Sequence, residues 1–164
     1  MDDGMLARRL LDVHGMNPVH KILVPTDLSP GATRAMHVAV ELAATFDAEL
    51  TLLHVLPVPA DIALWYAEGL SWPLDEIYPA ARREISAVAD ALRKRHPKVD
   101  SLLGAADPRT QILETAKEIG ADLIIMGTHG RTGITHLVLG SVAERVVRAS
   151  PVPVLTVGDS AARS

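Results

Sequence analysis

The sequence predicts an α/β fold in which a doubly wound, five-stranded parallel sheet is covered by helices on both faces. Short apolar runs alternate with longer segments whose apolar residues recur at helical spacing, in the order βαβαβαβαβ. Hydrophobic residues make up 48% of the chain, whereas aromatic residues make up only 3%. The core must therefore be aliphatic, as is typical of parallel strands that are buried on both faces.

The chain of 164 residues is long enough for one domain with a sizeable core. We predict a flexible N-terminal extension over residues 1–18, a folded domain over 19–158 and a C-terminal tail over 159–164. The N-terminal segment begins with acidic residues and has no continuous apolar run, which is not typical of a signal peptide. No run approaches the roughly 18 apolar residues of a membrane span. These features predict a cytoplasmic protein.

The first strand and the first helix are predicted between residues 21 and 47. Lys21–Pro25 is short and apolar, as expected of a buried strand. Ser29 and Pro30 then combine a typical N-cap residue with a residue suited to the first helical turn. The apolar residues that follow recur at helical spacing: Ala32, Ala35, Ala39, Leu42 and Phe46.

A second strand and a second helix are predicted next. Glu49–Val55 is the strand, and residues 57–76, which contain Pro, Trp and Tyr without periodicity, are a long surface connection. The following helix is amphipathic. Its predicted buried face consists of Ile77, Ala81, Ile85, Val88 and Leu92. Its predicted water-facing charges are Arg82, Arg83, Arg93 and Lys94.

Three more strands and two more helices are predicted in the remaining part. The third strand is Val99–Leu103, and Asp107-Pro108 repeats the combination of a cap with a proline. The fourth strand covers residues 122–126, the last helix runs from Ser141 to about Ala149, and the fifth strand covers 151–157. The buried stripe of the helix after Asp107 is predicted at Ile112, Leu113, Ala116 and Ile119.

A glycine-rich segment with the sequence GTHGRTGITHLVLGS follows the fourth predicted strand. Glycines let backbone N–H groups approach an anion, and the helix that begins at Ser141 adds unpaired donors and a positive dipole end. Asp27 follows the first strand, and ligands of doubly wound sheets bind at such carboxyl ends. These observations predict a nucleotide site, although ordinary turn chemistry explains the glycines equally well.

Several other kinds of site are excluded or disfavoured. The chain contains neither G-x-G-x-x-G nor a Walker A loop, so the usual phosphate-binding lysine is missing. The net charge of −4 argues against nucleic acid and anionic membranes as partners, and the absence of cysteine excludes disulfides and thiol chemistry. His129 and His136 do not have a recognised metal-ligand spacing. We therefore predict neither a catalytic residue nor a protein metal site.

Two further groups of residues resemble functional sites but are better explained without one. Ser141, His129 and Asp27 resemble a catalytic triad only in composition, because no serine lies on a strained nucleophile turn. The aromatic residues near the long connection lack the surrounding positive charge of a nucleic-acid platform, so we predict a cover over the helices or a partner surface. They are Trp65, Tyr66, Trp72 and Tyr78.

With these motifs in place, the chain resembles the ATP-binding type of the universal stress protein family. The matching stretches lie within about residues 19–158, and they read KILVPTDLS, LLHV, ADLIIMGTHGRTG, LGSVAERVV and PVPVLTV. The nucleotide signature of the family, G-x2-G-x9-G-Ser/Thr, is matched without a gap by Gly127, Gly130, Gly140 and Ser141.

The resemblance implies a Rossmann-like sheet, similar to adenine nucleotide alpha hydrolases, with the strand order 3-2-1-4-5. It also implies that ATP, with Mg²⁺ or another divalent cation, lies at the ends of strands one and four. Asp27 would contact the ribose or base, and it is preserved although Thr26-Asp27-Leu28 replaces the common Val-Asp-Gly. The implied site residues are Pro25, Thr26, Asp27, Val55, Met126, Gly127, Gly130, Arg131, Thr132, Gly140, Ser141 and Val142.

We therefore predict a stress-response regulatory protein that binds adenine nucleotide as a ligand or signal. Three alternatives remain open, namely a slow ATP hydrolase, a binding protein for AMP or cyclic AMP, and an interaction module with an empty pocket. If the fifth strand is outermost, as the resemblance implies, residues 151–157 form an apolar edge that we expect to pair in a homodimer.

Overall fold

The computed structural model describes residues 18–58, 61–62, 67–69, 73–128 and 139–158. Strands and helices alternate along these residues, as the periodicity of the sequence predicts. Their bounds are β1 Lys21–Thr26, α1 Pro30–Phe46, β2 Glu49–Pro57, α2 Leu74–Arg93, β3 Val99–Ala106, α3 Pro108–Ile119, β4 Leu123–Gly127, α4 Ser141–Ala149 and β5 Val154–Val157.

The five strands form one parallel sheet in the order β3-β2-β1-β4-β5. β1 is central: Thr26, its last residue, lies opposite His54 of β2, and on the other side Ile22 lies opposite Leu123 of β4. The chain builds outward from β1 to β3 and then crosses to β4, so the direction of winding reverses between β1 and β4. The predicted fold class and strand order are confirmed.

Two aliphatic clusters, one on each face of the sheet, form the core. Consecutive side chains of a strand point to opposite faces, and Ile22, Leu23 and Val24 of β1 are all fully buried. Ile22 and Val24 pack in a cluster that includes residues of α1 and α2. Leu23 packs in a second cluster that includes residues of α3 and α4. Each such side chain stabilises the fold by about 1.5–3 kcal/mol relative to an exposed one.

Local signals place the starts of α1 and α3 as predicted. The Ser29 hydroxyl accepts a hydrogen bond from the Ala32 N–H at 3.2 Å, and Pro30 begins α1. The Asp107 carboxylate accepts from the Thr110 N–H at 3.0 Å, and Pro108 begins α3. Both caps satisfy backbone donors that a helix start otherwise leaves unpaired.

The predicted strand ends differ from the observed ones. β3 continues to Ala106, three residues beyond the predicted end, because it pairs with β2 as far as Pro57. β5 begins at Val154 instead of residue 151. The Ser150 hydroxyl donates to the Val152 carbonyl at 2.7 Å and accepts from its N–H at 3.2 Å, which holds the segment before β5 in a local turn.

The prediction for α2 is wrong at the start of the helix. The helix begins at Leu74, within the predicted connection, and it contains Pro79. Ile77 is 39% exposed, so it does not belong to the buried face. Arg93 is half-buried: its Nε donates to the Val99 carbonyl at 2.7 Å, and its Nη1 bonds to the exposed Asp90. Tyr78 also lies in α2, and its hydroxyl donates to the Leu103 carbonyl at 3.1 Å.

Several predictions fall on residues that the structure does not describe. These are the extension over residues 1–18, apart from Pro18, the tail over 159–164, and the aromatic residues Trp65, Tyr66 and Trp72. Within the described ranges, none of the helices combines the length and the hydropathy needed to cross a membrane.

Candidate functional site

A cleft of about 390 Å³ opens at the carboxyl ends of β1 and β4, where the winding of the sheet reverses. Ligands of doubly wound sheets bind at such switch points. Its walls come from the ends of β1, β2 and β4 and from the first turns of α1, α3 and α4. The lining residues are Pro25, Thr26, Asp27, Ala32, Leu53, His54, Val55, Leu56, Pro57, Pro108, Ile112, Met126, Gly127, Thr128, Gly140, Ser141, Val142 and Ala143.

Nine of the twelve predicted site residues lie around this cleft. They are Pro25, Thr26, Asp27, Val55, Met126, Gly127, Gly140, Ser141 and Val142. The remaining three, Gly130, Arg131 and Thr132, lie outside the described residues. The structure thus brings nine of them together, while their role in binding stays a prediction.

Sequence reasoning left other lining residues out of the predicted site. Pro108 and Ile112 of α3 contribute to one wall, because β3 is parallel to β1 and ends at the same edge of the sheet. The cap signal at Asp107 would have identified this helix start as a part of the wall. Thr128 and His54 also line the cleft. His54 belongs to β2 and is 5% exposed.

The turn between β1 and α1 carries Asp27 to the edge of the cleft. The Thr26 hydroxyl accepts from the Leu28 N–H at 3.0 Å, and the Asp27 carboxylate accepts from the Ser29 N–H at 3.0 Å. Hydrogen bonds in which a side chain accepts from the backbone N–H two residues later are typical of tight turns. Leu28 has a φ of 62°, in the left-handed region. The sequence therefore departs from the common Val-Asp-Gly pattern at the position where glycine would be unstrained.

His54 connects this turn to the neighbouring strand. Its Nδ1 lies 2.8 Å from the Thr26 carbonyl oxygen. A carbonyl can only accept, so Nδ1 carries the hydrogen and donates. The last residue of β1 is therefore bonded through a buried side chain to β2, directly beside the lining residues Asp27 and Val55.

Gly127, the last residue of β4, is explained by packing alone. A Cβ atom there would lie 3.0 Å from the carbonyl carbon of Gly31 and 3.1 Å from its oxygen. These are backbone atoms of the first turn of α1, which cannot move without shifting the helix. The close approach of β4 to α1 therefore favours glycine at this position whether or not a ligand binds.

The start of α4 differs from the starts of α1 and α3. Gly140 is its N-cap residue, and within the described part of the chain no side chain caps the helix. Ser141 is the first helical residue, as the sequence predicts. Gly140 has a φ of −58°, which any residue adopts, so backbone conformation does not require glycine. The first N–H groups of α4 therefore lie beside the cleft without a capping side chain.

An acidic cap lies near this helix start. The hydrogen bond from the Thr110 N–H is the main cause that lowers the pKa of Asp107, with smaller contributions from the Thr110 hydroxyl and from Arg145. Nη1 of Arg145 lies 3.9 Å from Asp107, and Nε donates to the Ser141 carbonyl at 3.1 Å. Arg145 therefore links the starts of α3 and α4.

The chemical character of the cleft is that of a binding site. Its floor is aliphatic, and neither lysine nor arginine is among the described lining residues. Over the ranges that the structure describes, no group of three or more His, Asp and Glu side chains is arranged to hold a metal ion. The cleft can accept a ligand with an apolar body and an anionic end at the start of α4.

The fold and this cleft together place the chain in the class of doubly wound α/β proteins with a cleft at the switch point of a parallel sheet. The model of the Universal stress protein family matches residues 18–158. The chain therefore belongs to the universal stress protein family, as the resemblance implies, while the ATP-binding type stays a prediction.

Relatives and solved structures agree with this assignment. The chain is 36% identical over 146 residues to the universal stress protein MJ0531 of Methanocaldococcus jannaschii, covering 88% of this chain and 85% of that protein. It is 32% identical to YxiE of Bacillus subtilis, with 84% and 98% covered. The structure of MJ0577 is 29% identical with a TM-score of 0.68, and 87% and 97% of the two chains are covered.

Proposed function

We propose that this protein binds an adenine nucleotide and that the bound nucleotide serves as a ligand or signal in the stress response. ATP, accompanied by Mg²⁺ or another divalent cation, is the proposed ligand. The observation that carries the proposal is the start of α4, which faces the cleft without a capping side chain from the described residues. The cytoplasmic location stays a prediction from the sequence.

A phosphate group fits at the start of α4. The helix begins at Ser141 and runs for nine residues, so its unpaired N–H groups and the positive end of its dipole lie at the cleft. An anion at a helix N-terminus is stabilised by roughly 0.3–1 kcal/mol from the dipole, and by up to about 2 kcal/mol in partly buried sites. The hydrogen bonds of the N–H groups add to this stabilisation.

A base and a ribose fit the remainder of the cleft. The lining also has an apolar part that includes Val55, Leu53 and Met126, which suits the flat face of adenine. Asp27 supplies a carboxylate at the end of β1, where it can accept hydrogen bonds from ribose hydroxyl groups. The volume of about 390 Å³ lies within the range of small-molecule sites.

A divalent cation fits only as a companion of the nucleotide. Asp27 is the single carboxylate among the described lining residues, and a metal site of the protein itself needs several ligands. When bound, the cation would neutralise charge on the phosphates. We therefore propose that Mg²⁺ enters with ATP, and that Asp27 contacts it at most through water.

Solved structures of the same fold support adenine nucleotides as the ligand class. One is a universal stress protein in complex with cAMP, and another is from Archaeoglobus fulgidus in complex with dAMP. Each is 24% identical to this chain, with TM-scores of 0.63 and 0.64, so the likeness establishes the fold alone. They support AMP or cyclic AMP as the second candidate. The N–H groups at one helix start bind a single phosphate group, so they do not distinguish a monophosphate from a triphosphate.

The mode of assembly that we propose is a homodimer through β5. The Pro153 and Val157 carbonyls accept from the Ile124 and Thr128 N–H groups, both at 3.0 Å, so these residues face β4. Val154 and Thr156 therefore direct their backbone groups outward. Leu155 is also 39% exposed. Pairing with the same strand of a second copy would cover this apolar edge.

Mass spectrometry tests the proposed ligand. Protein purified without added nucleotide is denatured, and the released small molecules are identified. We expect an adenine nucleotide, and we expect calorimetric titration of the emptied protein with ATP and Mg²⁺ to restore binding. Titration with AMP and cyclic AMP separates the two candidates. Absence of both a released nucleotide and any heat of binding would overturn the proposal.

A further inference from the structure

We propose that His54 is a positioning residue that sets the nucleotide affinity of the cleft by holding the Asp27 turn in place. The inference rests on the proposed function, because it concerns the same cleft. His54 acts in this proposal through Thr26 and does not itself need to touch the nucleotide.

The first step is the contact between β1 and β2 at the edge of the sheet. Thr26 is the last residue of β1, and it lies directly opposite His54, whereas β2 continues to Pro57. The His54 ring is 5% exposed, and its Nδ1 donates to the Thr26 carbonyl over 2.8 Å. The ring thus bonds the end of β1 to β2 at the point where the backbone leaves β1 and enters the turn.

The second step concerns what else holds the turn. Two hydrogen bonds within the turn join residues only two positions apart: the Leu28 N–H donates to the Thr26 hydroxyl, and the Ser29 N–H donates to the Asp27 carboxylate. Such bonds shape the turn but do not attach it to the sheet. The bond from His54 spans 28 positions and does attach it. Together with the packing of Leu28 against the core, it positions the Asp27 carboxylate relative to Val55 on β2.

The third step is the backbone strain within the same turn. Leu28 has a φ of 62°, a left-handed conformation that costs a residue other than glycine about 1–2 kcal/mol. A strained segment relaxes when a restraint is removed. Loss of the His54 donor would therefore let the turn move and carry Asp27 away from its position at the cleft.

A matched pair of substitutions separates this role from simple packing. In His54→Asn the side-chain amide nitrogen takes the place of Nδ1 and can donate to Thr26. His54→Leu has the same branching and similar size but has no donor. Both variants lose the volume of the ring, so both are expected to lower the melting temperature. Only the donor distinguishes them.

Calorimetric titration with ATP and Mg²⁺ measures the effect on the full chain. We expect His54→Asn to bind within about threefold of the wild-type affinity and His54→Leu to bind about tenfold more weakly. Asp27→Asn is then added to each background. If His54 acts through the Asp27 turn, the loss of ATP affinity caused by Asp27→Asn should be at least about threefold smaller in the His54→Leu protein than in the protein with His54.

The outcomes also separate the two proposals. If the emptied wild-type protein binds no ATP, AMP or cyclic AMP, the proposed function fails and this inference fails with it. If the wild type binds but both His54 variants bind equally well or equally poorly, the positioning role is overturned and the proposed function stands. Should His54→Leu not fold, His54→Gln takes its place, since its amide nitrogen lies one bond too far out to replace Nδ1.

Discussion

Two positions beside the cleft, Leu28 and Gly127, have backbone constraints of different kinds. Leu28 occupies the left-handed region without being glycine, and its side chain packs against the core cluster under α1 and α2. That packing offsets part of the strain. Gly127 is a glycine because a Cβ atom would meet the backbone of Gly31. A glycine in a nucleotide signature thus has a structural reason that is independent of the nucleotide.

The first prediction follows from the close approach at Gly127. We expect Gly127→Ala to lower the free energy of unfolding by about 1–3 kcal/mol, because a methyl group 3.0 Å from the Gly31 backbone forces α1 to shift. Urea denaturation measures the change. Gly158→Ala is the control, since its Cβ would lie 3.9 Å from the Thr128 hydroxyl, an ordinary contact. Equal stability of the two variants would contradict the packing explanation.

At the scale of elements, the three helices that open on the cleft start differently. Ser29 caps α1 and Asp107 caps α3, whereas α4 begins at Gly140 without a side-chain cap from the described residues. An uncapped start costs some helix stability and leaves N–H donors for a ligand. The helix with the poorest cap is therefore the one that we assign to the phosphate.

The second prediction exploits this difference at Gly140. Gly140→Asp and Gly140→Asn both introduce a cap, which we expect to raise the free energy of unfolding by a few tenths of a kcal/mol. Each cap competes with phosphate for the same N–H groups, and the aspartate also repels it. We expect Gly140→Asp to bind ATP at least tenfold more weakly than Gly140→Asn does. This difference corresponds to about 1.4 kcal/mol or more of binding free energy. Equal affinities of the two variants would place the phosphate elsewhere.

Among the residues that the structure describes, the two edges of the sheet differ in how many of their outward backbone groups are bonded to side chains. On β3, the Val99 carbonyl accepts from Arg93, the Leu103 carbonyl accepts from Tyr78, and the Ser101 N–H donates to Asp100 at 2.7 Å. These bonds hinder the addition of another strand. We therefore assign self-association to β5.

The third prediction compares the two edges with matched leucines. Leu155 on β5 is 39% exposed and Leu102 on β3 is 38% exposed. We expect Leu155→Asp to dissociate the proposed dimer, because a charge would be buried at the paired edge. Leu102→Asp should leave the dimer intact. Light scattering at micromolar concentration measures the mass. A monomeric wild type, or a dimer that survives Leu155→Asp, would contradict the assignment.

At the scale of the whole molecule, the cleft combines features that favour binding over turnover. Fast phosphoryl transfer needs groups that stabilise charge in the transition state, commonly metal ions, lysine and arginine. The described lining contains neither lysine nor arginine, and its donors at the start of α4 are backbone N–H groups and the Ser141 hydroxyl. Groups that bind the ground state and the transition state equally increase affinity without increasing the rate.

The fourth prediction is therefore slow hydrolysis. We expect ATP turnover well below the roughly 1–100 s⁻¹ that is typical of kinases. Phosphate release is measured on purified protein with Mg²⁺, alongside Asp27→Asn, because Asp27 is the lining residue best able to orient a water molecule. Turnover above about 1 s⁻¹ that disappears in Asp27→Asn while ATP still binds would instead support the hydrolase alternative.

Much of this architecture could be predicted from local patterns. The alternation of strands and helices, the caps at Ser29 and Asp107, and the position of Asp27 at a strand end depend on residues close together in the chain. A prediction that failed depended on distant residues: β3 is longer than expected because β2 continues beside it.

By itself the sequence determined the α/β class and the region of the cleft, since these follow from periodicity and from the strand ends, and the resemblance of its motifs indicated the family. Only the tertiary structure decided that Gly127 lies against the backbone of Gly31 and that His54 bonds to Thr26. The physical reason is distance. Both features arise where segments far apart in the chain approach within about 3 Å, the range of a hydrogen bond or a hard-sphere contact.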